Sequence, residues 1–251
     1  YFTITIDPDT GVGTFTQTEN VWHAGTTNDD DTSFLDIVDG DLTIEATAID
    51  FDNDPSEPAS LSIGHDVLQI QDDGPALAIS VVAENGEVND DALVATTSDA
   101  DLPDSDNTLS LTSFFSVTTA SYGTDGEGTL SQTYGLNILN SETALTSGGD
   151  AITLVYGPEV DGEVSVVGMA GGEAVFTITV DTATGALTLE QTGPIDHAED
   201  SDSTLLGAGV LEATYDVTIT DADGDTESLD DSVDLGDNIS FGDDVPTIVV
   251  D

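Results

Sequence analysis

A chain of 251 residues that carries 52 Asp and Glu, three His and no Lys or Arg has a formal charge of −52. That balance excludes nucleic-acid binding, which needs basic side chains to neutralise phosphates. It also excludes docking on anionic membrane surfaces and phosphoryl transfer by a P-loop lysine or arginine clamp. The absence of Cys removes disulfides and thiolate metal sites, and no apolar run approaches the ~20 residues of a membrane span. Tyr1 opens no signal peptide, so the reading is of a fragment, or of a protein whose export signal lies elsewhere. Charge on this scale favours disorder. Against it stand many short, cleanly alternating runs of Val, Ile, Leu, Phe and Thr, which predict a folded β protein that needs counter-ions.

In chain order, Tyr1–Ile6 alternates as a half-buried strand, Asp7-Pro8-Asp9-Thr10-Gly11 is a turn, and Gly13–Thr18 is the returning strand. Leu42–Ile49 is a further strand, and it runs into Asp50-Phe51-Asp52-Asn53-Asp54. Val67–Ile70 precedes Asp72-Asp73-Gly74-Pro75, and Leu77–Val81 follows it. The stretch 76–174 has no second copy, yet it alternates at Leu109/Leu111, Ile152/Leu154/Tyr156 and Val164/Val166, with Asp, Asn, Gly and Ser between. No amphipathic helix is visible. Many short strands with turn signals predict an antiparallel sandwich.

From Val175 the chain repeats itself. Phe176–Thr192 restates the first hairpin, with Phe176 answering to Phe2, and His197 answers to His23 at the same offset. The run Ala213–Thr220 leads into Asp221-Ala222-Asp223-Gly224-Asp225, which restates the Asp50 loop. Asp243-Asp244-Val245-Pro246 answers Asp72–Pro75 at the same spacing as the two loops. A period of roughly 170 residues means whole domains in tandem rather than a solenoid. Residues 1–72 then form the C-terminal part of one repeat, 73–244 a complete repeat, and 245–251 the start of the next. The acidic step before each proline marks the joint, and proline fixes its own φ there.

Carboxylates crowded on a turn repel, and this chain has no Lys or Arg to relieve them. A hard divalent cation taking six to eight oxygens, Ca²⁺, is the expected partner. The candidate ligands are Asp50, Asp52 and Asp54 in one loop and Asp221, Asp223 and Asp225 in the other. Asp216 and Glu45, each shortly ahead of its loop, are expected to add oxygens. Neither loop is an EF-hand: glycine stands at position 4 in the second, and Ser232 occupies position 12. Asp72, Asp73, Asp243 and Asp244 are expected to ligate Ca²⁺ at the joints. Asp99 and Asp101, in the stretch 99–106, are a further candidate. Several ions per repeat are expected. The alternative for each is a solvated acidic turn.

The ordered set Phe176–Asp181, Thr184-Gly185, Leu187–Leu189, Gln191, Ile195–His197, Thr218–Asp225 and Asp243–Pro246 resembles the roughly 170-residue extender repeats of giant type I-secreted RTX adhesins. That resemblance implies tandem Ig-like or cadherin-like antiparallel β-sandwiches, Ca²⁺ at and near the linkers, and a location at the surface of a Gram-negative bacterium. It also implies a spacer role, with neighbouring repeats as partners and other domains binding the adhesive target. Val245 departs from the Asp-Asp-Gly-Pro pattern, and the glycine-rich nonapeptide repeats and secretion signal of such proteins are not present in these residues.

No enzyme is expected. The chain has neither a His-Glu-X-X-His motif nor a Gly-X-Ser-X-Gly elbow. His23 and His197, each beside an acidic stretch (Asn28–Asp31; Glu199–Asp202), read as structural histidines at a strand end or loop. Trp22 faces Asp196 in the repeat alignment, which points to local packing rather than a sugar platform. A carbohydrate-binding sandwich is the alternative function, and an acidic halophilic enzyme domain is a second rival.

Overall fold

The computed structural model describes residues 1–25, 32–64, 67–81, 95–199 and 201–244, and the side chains of Asp101, Ser105 and Asp106 lie outside that set. The expected acidic stretch 28–31 and the expected strand 247–250, with the rest of 245–251, fall outside the described residues. The protein is all-β, with several antiparallel sheets and, among the described residues, two short 3₁₀ turns. Among the described residues no helix is long and apolar enough to cross a membrane. The chain divides into two compact units. The first gathers Tyr1–Ala76, Ser121–Thr129 and Ile219–Glu227, and the second the remainder.

Within the first unit, β1 (Phe2–Ile6) pairs with β2 (Gly13–Gln17), β3 (Thr32–Phe34) with β6 (Gln69–Gln71), and β4 (Thr43–Ala46) with β5 (Ala59–Ser62). Next along the chain come β7 (Ala76–Val81), β8 (Ala95–Ser98), β9 (Asp104–Ser110) and β10 (Phe115–Ser121), which lie mostly in the second unit. The chain continues with β11 (Thr129–Ile138), β12 (Glu142–Ser147), β13 (Asp150–Tyr156) and β14 (Glu163–Ala170). Then come β15 (Glu173–Asp181), β16 (Ala186–Gln191), β17 (Ser203–Leu205), β18 (Leu211–Thr220), β19 (Thr226–Asp234) and β20 (Ile239–Gly242). One sheet has six strands in the order β12-β13-β14-β15-β16-β9, and smaller sheets have the orders β11-β18-β19, β17-β20-β8 and β10-β7. Strands β20 and β8 run parallel.

Period-two alternation builds the core. In β18, Leu211, Ala213, Tyr215, Val217 and Ile219 are buried, while Glu212, Thr214, Asp216, Thr218 and Thr220 are not. Phe176, Ile178 and Val180 of β15 and Leu187 and Leu189 of β16 are fully buried in one cluster with Leu211, Ala213, Tyr215 and Val217. Tyr215 stacks on Phe115 with ring centroids 5.0 Å apart, and its hydroxyl donates to Gln132 Oε1 at 2.6 Å.

The repeat read from sequence is repeated in the backbone. Ile4 pairs with Phe15, and their counterparts in the second copy, Ile178 and Leu189, pair with each other. Both hairpins turn alike. Asp7 Oδ1 accepts from the amides of Asp9 and Thr10, and Asp181 Oδ1 from those of Ala183 and Thr184. Gly11 and Gly185 then supply the left-handed residue at φ 73° and 68°. The register of β3 with β6, Thr32 against Gln71, returns in the second copy as Ser203 against Gly242 in β17 and β20.

Candidate metal centre

The two acidic loops share one backbone. The amide of Asp50 donates to the carbonyl of Asp54, and that of Asp221 to the carbonyl of Asp225, both at 3.1 Å. In each loop the first aspartate folds its Oδ1 back over the turn. Asp50 Oδ1 accepts from Asp52 and Asp54, and Asp221 Oδ1 from Gly224 and Asp225. The fourth residue takes positive φ, Asn53 at 73° and Gly224 at 110°. Asn and Gly are the residues that tolerate this region.

Their surroundings differ. Asp50, Asp52 and Asp54 are all exposed, and Phe51 beside them is fully in solvent. In contrast, Asp221 is 4% and Asp225 2% exposed. Around the second loop stand Asp72 at 7% and Asp125 at 9%. The carboxylates form two groups that share Asp223: Asp72, Asp125 and Asp223, and Asp221, Asp223 and Asp225. In each group one oxygen per residue lies within 4.8 Å of the others. All five residues belong to the first unit, although they lie on both sides of Asp73-Gly74-Pro75 in the sequence.

The oxygens divide their work. Asp221 Oδ1 holds its own turn, Asp223 Oδ2 accepts from the His23 amide at 3.1 Å, and Asp72 Oδ1 lies 3.0 Å from His23 Nδ1. The other oxygens, Asp72 Oδ2, Asp221 Oδ2 and Asp223 Oδ1, are buried without a hydrogen-bond partner among the described residues, as is Asp225 Oδ2. Buried polar atoms are ordinarily satisfied, so four orphans in one pocket need an explanation. Two carboxylates ~4.8 Å apart repel by roughly 3–4 kcal/mol at an effective dielectric of about 20. Burial, and then the charges of Asp223, Asp72 and Asp221, push the Asp125 carboxyl up to about 6. Burial and then Asp72 do the same to Asp225, also to about 6, and burial raises Asp221. The donor set is all oxygen, and four of its buried atoms have no partner among the described residues. It fits a hard cation of the Ca²⁺ type, which takes six to eight oxygens. Ca²⁺ would supply the positive charge that no side chain here can, with Asp72, Asp125, Asp221, Asp223 and Asp225 holding it.

Asp125 is the member of this cluster that sequence reading missed. Its segment, Gly123-Thr124-Asp125-Gly126-Glu127-Gly128, resembles any acidic turn. The signal lies in its glycines. A Cβ on Gly123 would collide with the Asp73 carbonyl, and one on Gly128 with the carbonyls of Thr220 and Asp221. Backbone approach this close admits only glycine. Asp73 does not join the cluster. Its Oδ2 accepts from the Thr124 amide at 3.0 Å and so secures the turn that carries Asp125.

Asp216 does not join the cluster either. It is exposed on β18, an odd number of residues before Asp221, and strand parity turns it to the opposite face. There it lines a shallow groove with Glu212, Asp230 and Asp231. Glu45 is likewise exposed. In the second unit, Asp99, His197 and Asp243 form a separate group, while Asp244 is exposed. The Asp101 side chain lies outside the described residues. Asp104, in the same stretch, binds the Ser98 amide and the Asn107 side chain.

Each repeat-related histidine ties its ring to a strand: Nε2 of His23 lies 3.3 Å from the Ile70 carbonyl and Nε2 of His197 3.0 Å from that of Phe241. The expectation of local packing for Trp22 fails, because the side chain is 66% exposed. It lines a cavity of about 830 Å³ with Tyr1, Phe2, Glu19, Val21 and Asp125.

Comparison with known families gives a match to the family described as Domain of unknown function (DUF5801), over residues 1–64 and 88–236. No curated protein matches. No solved structure matches.

Proposed function

We propose that this chain, which belongs to the DUF5801 family, is a Ca²⁺-stiffened structural spacer, one stretch of a tandem array that projects the adhesive end of a secreted bacterial surface protein. The observation that carries the reading is a cluster of four buried aspartates and the half-buried Asp223, with four buried oxygens unpartnered among the described residues, in a chain without Lys or Arg. An ion there ties Asp72, which ends one sequence repeat, to Asp125 and Asp221–Asp225 of the next. The Gly74-Pro75 joint lies between them. Extracellular modules bind Ca²⁺ at about 0.1–1 mM, so the cluster would fill outside the cell and release the ion in cytosol. Gram-negative surface location and type I export come from the resemblance to RTX extender repeats and belong to this proposal. The chain itself carries no catalytic role in it.

Small-angle scattering with and without Ca²⁺ tests the reading. The spacer requires a stiff, narrowly distributed particle with Ca²⁺ and a broader ensemble in chelator. Scattering curves that superimpose in both conditions would remove it. Exposed Trp22 on the wall of its cavity, beside Tyr1 and Phe2, favours a second reading as a carbohydrate-binding module. Glycan-array binding that Trp22→Ala abolishes would establish that reading, and an array without signal would dismiss it.

A further inference from the structure

We infer that Asp99, His197 and Asp243 form a second metal site, selective for a first-row transition dication of the zinc type rather than Ca²⁺. The inference does not rest on the spacer reading or on the Ca²⁺ cluster, and all three residues belong to the second unit.

The imidazole sets the argument. The His197 side chain is 3% exposed. Its Nε2 lies 3.0 Å from the Phe241 carbonyl, an acceptor only, so the ring proton belongs on Nε2. A neutral ring then presents a lone pair at Nδ1. That atom is buried with no hydrogen-bond partner among the described residues, and it faces Asp243 Oδ1 across 3.6 Å. The gap is too long for a hydrogen bond. It suits two arms of a tetrahedral zinc, whose bonds of about 2.0–2.2 Å set ligand atoms roughly 3.3–3.6 Å apart. At His23 the corresponding gap to Asp72 closes to 3.0 Å, which leaves no such space.

Asp99 completes the group, with a carboxylate oxygen within 4.8 Å of the other two ligand atoms. An outer layer fixes it in place. The Ile195 amide donates to Asp99 at 3.3 Å, and the Gln191 side-chain amide donates to Asp99 Oδ1. Gln191 is fully buried and accepts in turn from Thr97 Oγ1 at 2.7 Å. Metal sites are usually oriented by outer hydrogen bonds of this kind, with a carbonyl fixing the histidine tautomer. One nitrogen and two carboxylates bring two negative charges for a dication. Imidazole selects Zn²⁺ and its neighbours, whereas Ca²⁺ takes oxygen.

The test titrates the full chain with Zn²⁺ by calorimetry in saturating Ca²⁺, with Co²⁺ absorption as a second readout. The expected result is one equivalent of Zn²⁺ that excess Ca²⁺ does not displace, and a Co²⁺ spectrum with nitrogen ligation. His197→Gln keeps an amide able to donate to the Phe241 carbonyl, and Asp99→Asn leaves the ring untouched; each is expected to lose that equivalent and the Co²⁺ bands. Nitrogen-15 spectra should show His197 Nδ1 unprotonated and shifted by metal. Zn²⁺ uptake that is absent, or unchanged in His197→Gln, would overturn the inference. So would a His197 ring protonated on both nitrogens in excess Zn²⁺.

Discussion

The loops 50–54 and 221–225 have the same three aspartates, the same backbone bond from first to fifth residue and a positive-φ fourth residue, yet opposite electrostatics. In the open loop, hydrogen bonds within the turn hold the Asp50 carboxyl below its ordinary range. In the closed loop, burial first and neighbouring carboxylates second drive Asp225 up to about 6. The motif therefore builds a turn. In the proposed Ca²⁺ reading, a metal centre needs other chain segments, here Asp72 and the glycine-framed Asp125, to enclose that turn. Alternating aspartates are a scaffold for a site, and burial decides whether there is one.

Chelation should break the comparison most visibly. An ion at a hundred times its Kd stabilises by about 2.7 kcal/mol, which for a chain of this size raises Tm by roughly 5–10 °C. Differential scanning calorimetry should show that loss in EDTA, and Tm unchanged by chelation would contradict it. Next in size is the ligand exchange. Asp223→Ala should weaken the tightest Ca²⁺ binding by about tenfold or more, some 1.4 kcal/mol, while Asp52→Ala should leave it within about twofold. Titration calorimetry of the two variants side by side decides this, and equal losses would sink the distinction between loops.

Gly128→Ala forces a methyl against the Thr220 and Asp221 carbonyls. It should cost about 1–3 kcal/mol of stability by overpacking and weaken Ca²⁺ through the displaced Asp125. A denaturant midpoint equal to wild type would show the approach to be looser.

The smallest effect is the pH dependence without metal. Asp125 and Asp225 have folded-state values near 6, above the ordinary 3.8, so the folded chain binds more protons between these limits. Their contribution is fully present below pH 3.8 and lost as pH rises through about 6. Thermal melts in EDTA should therefore fall in Tm from about pH 4 to 7. Asp50, with its lowered value, acts in the opposite sense. A rise in Tm over that range would show that groups of its kind dominate.

Much of the fold is legible in the sequence because period-two alternation and turn chemistry are local. Asp7–Gly11 and Asp181–Gly185 form the turns their sequences specify, and the internal repeat reappears in the strand registers. The site is half legible. Asp72 and Asp221–Asp225 stand out because each recurs. Asp125 occurs once, in a stretch with no second copy, and its glycines acquire meaning only against the Asp73, Thr220 and Asp221 carbonyls. Counting residues without counting faces misplaces Asp216. Burial separates Asp223 from Asp52, and it depends on contacts between distant parts of the chain, such as His23 and Asp223, which no local pattern encodes.

Anomalous diffraction from crystals grown in Ca²⁺ looks at the cluster itself. Strong calcium peaks are expected among the side chains of Asp72, Asp125, Asp221, Asp223 and Asp225, with weaker or no density at Asp50–Asp54. Solvent alone among these five carboxylates, in crystals soaked with millimolar calcium, would contradict it.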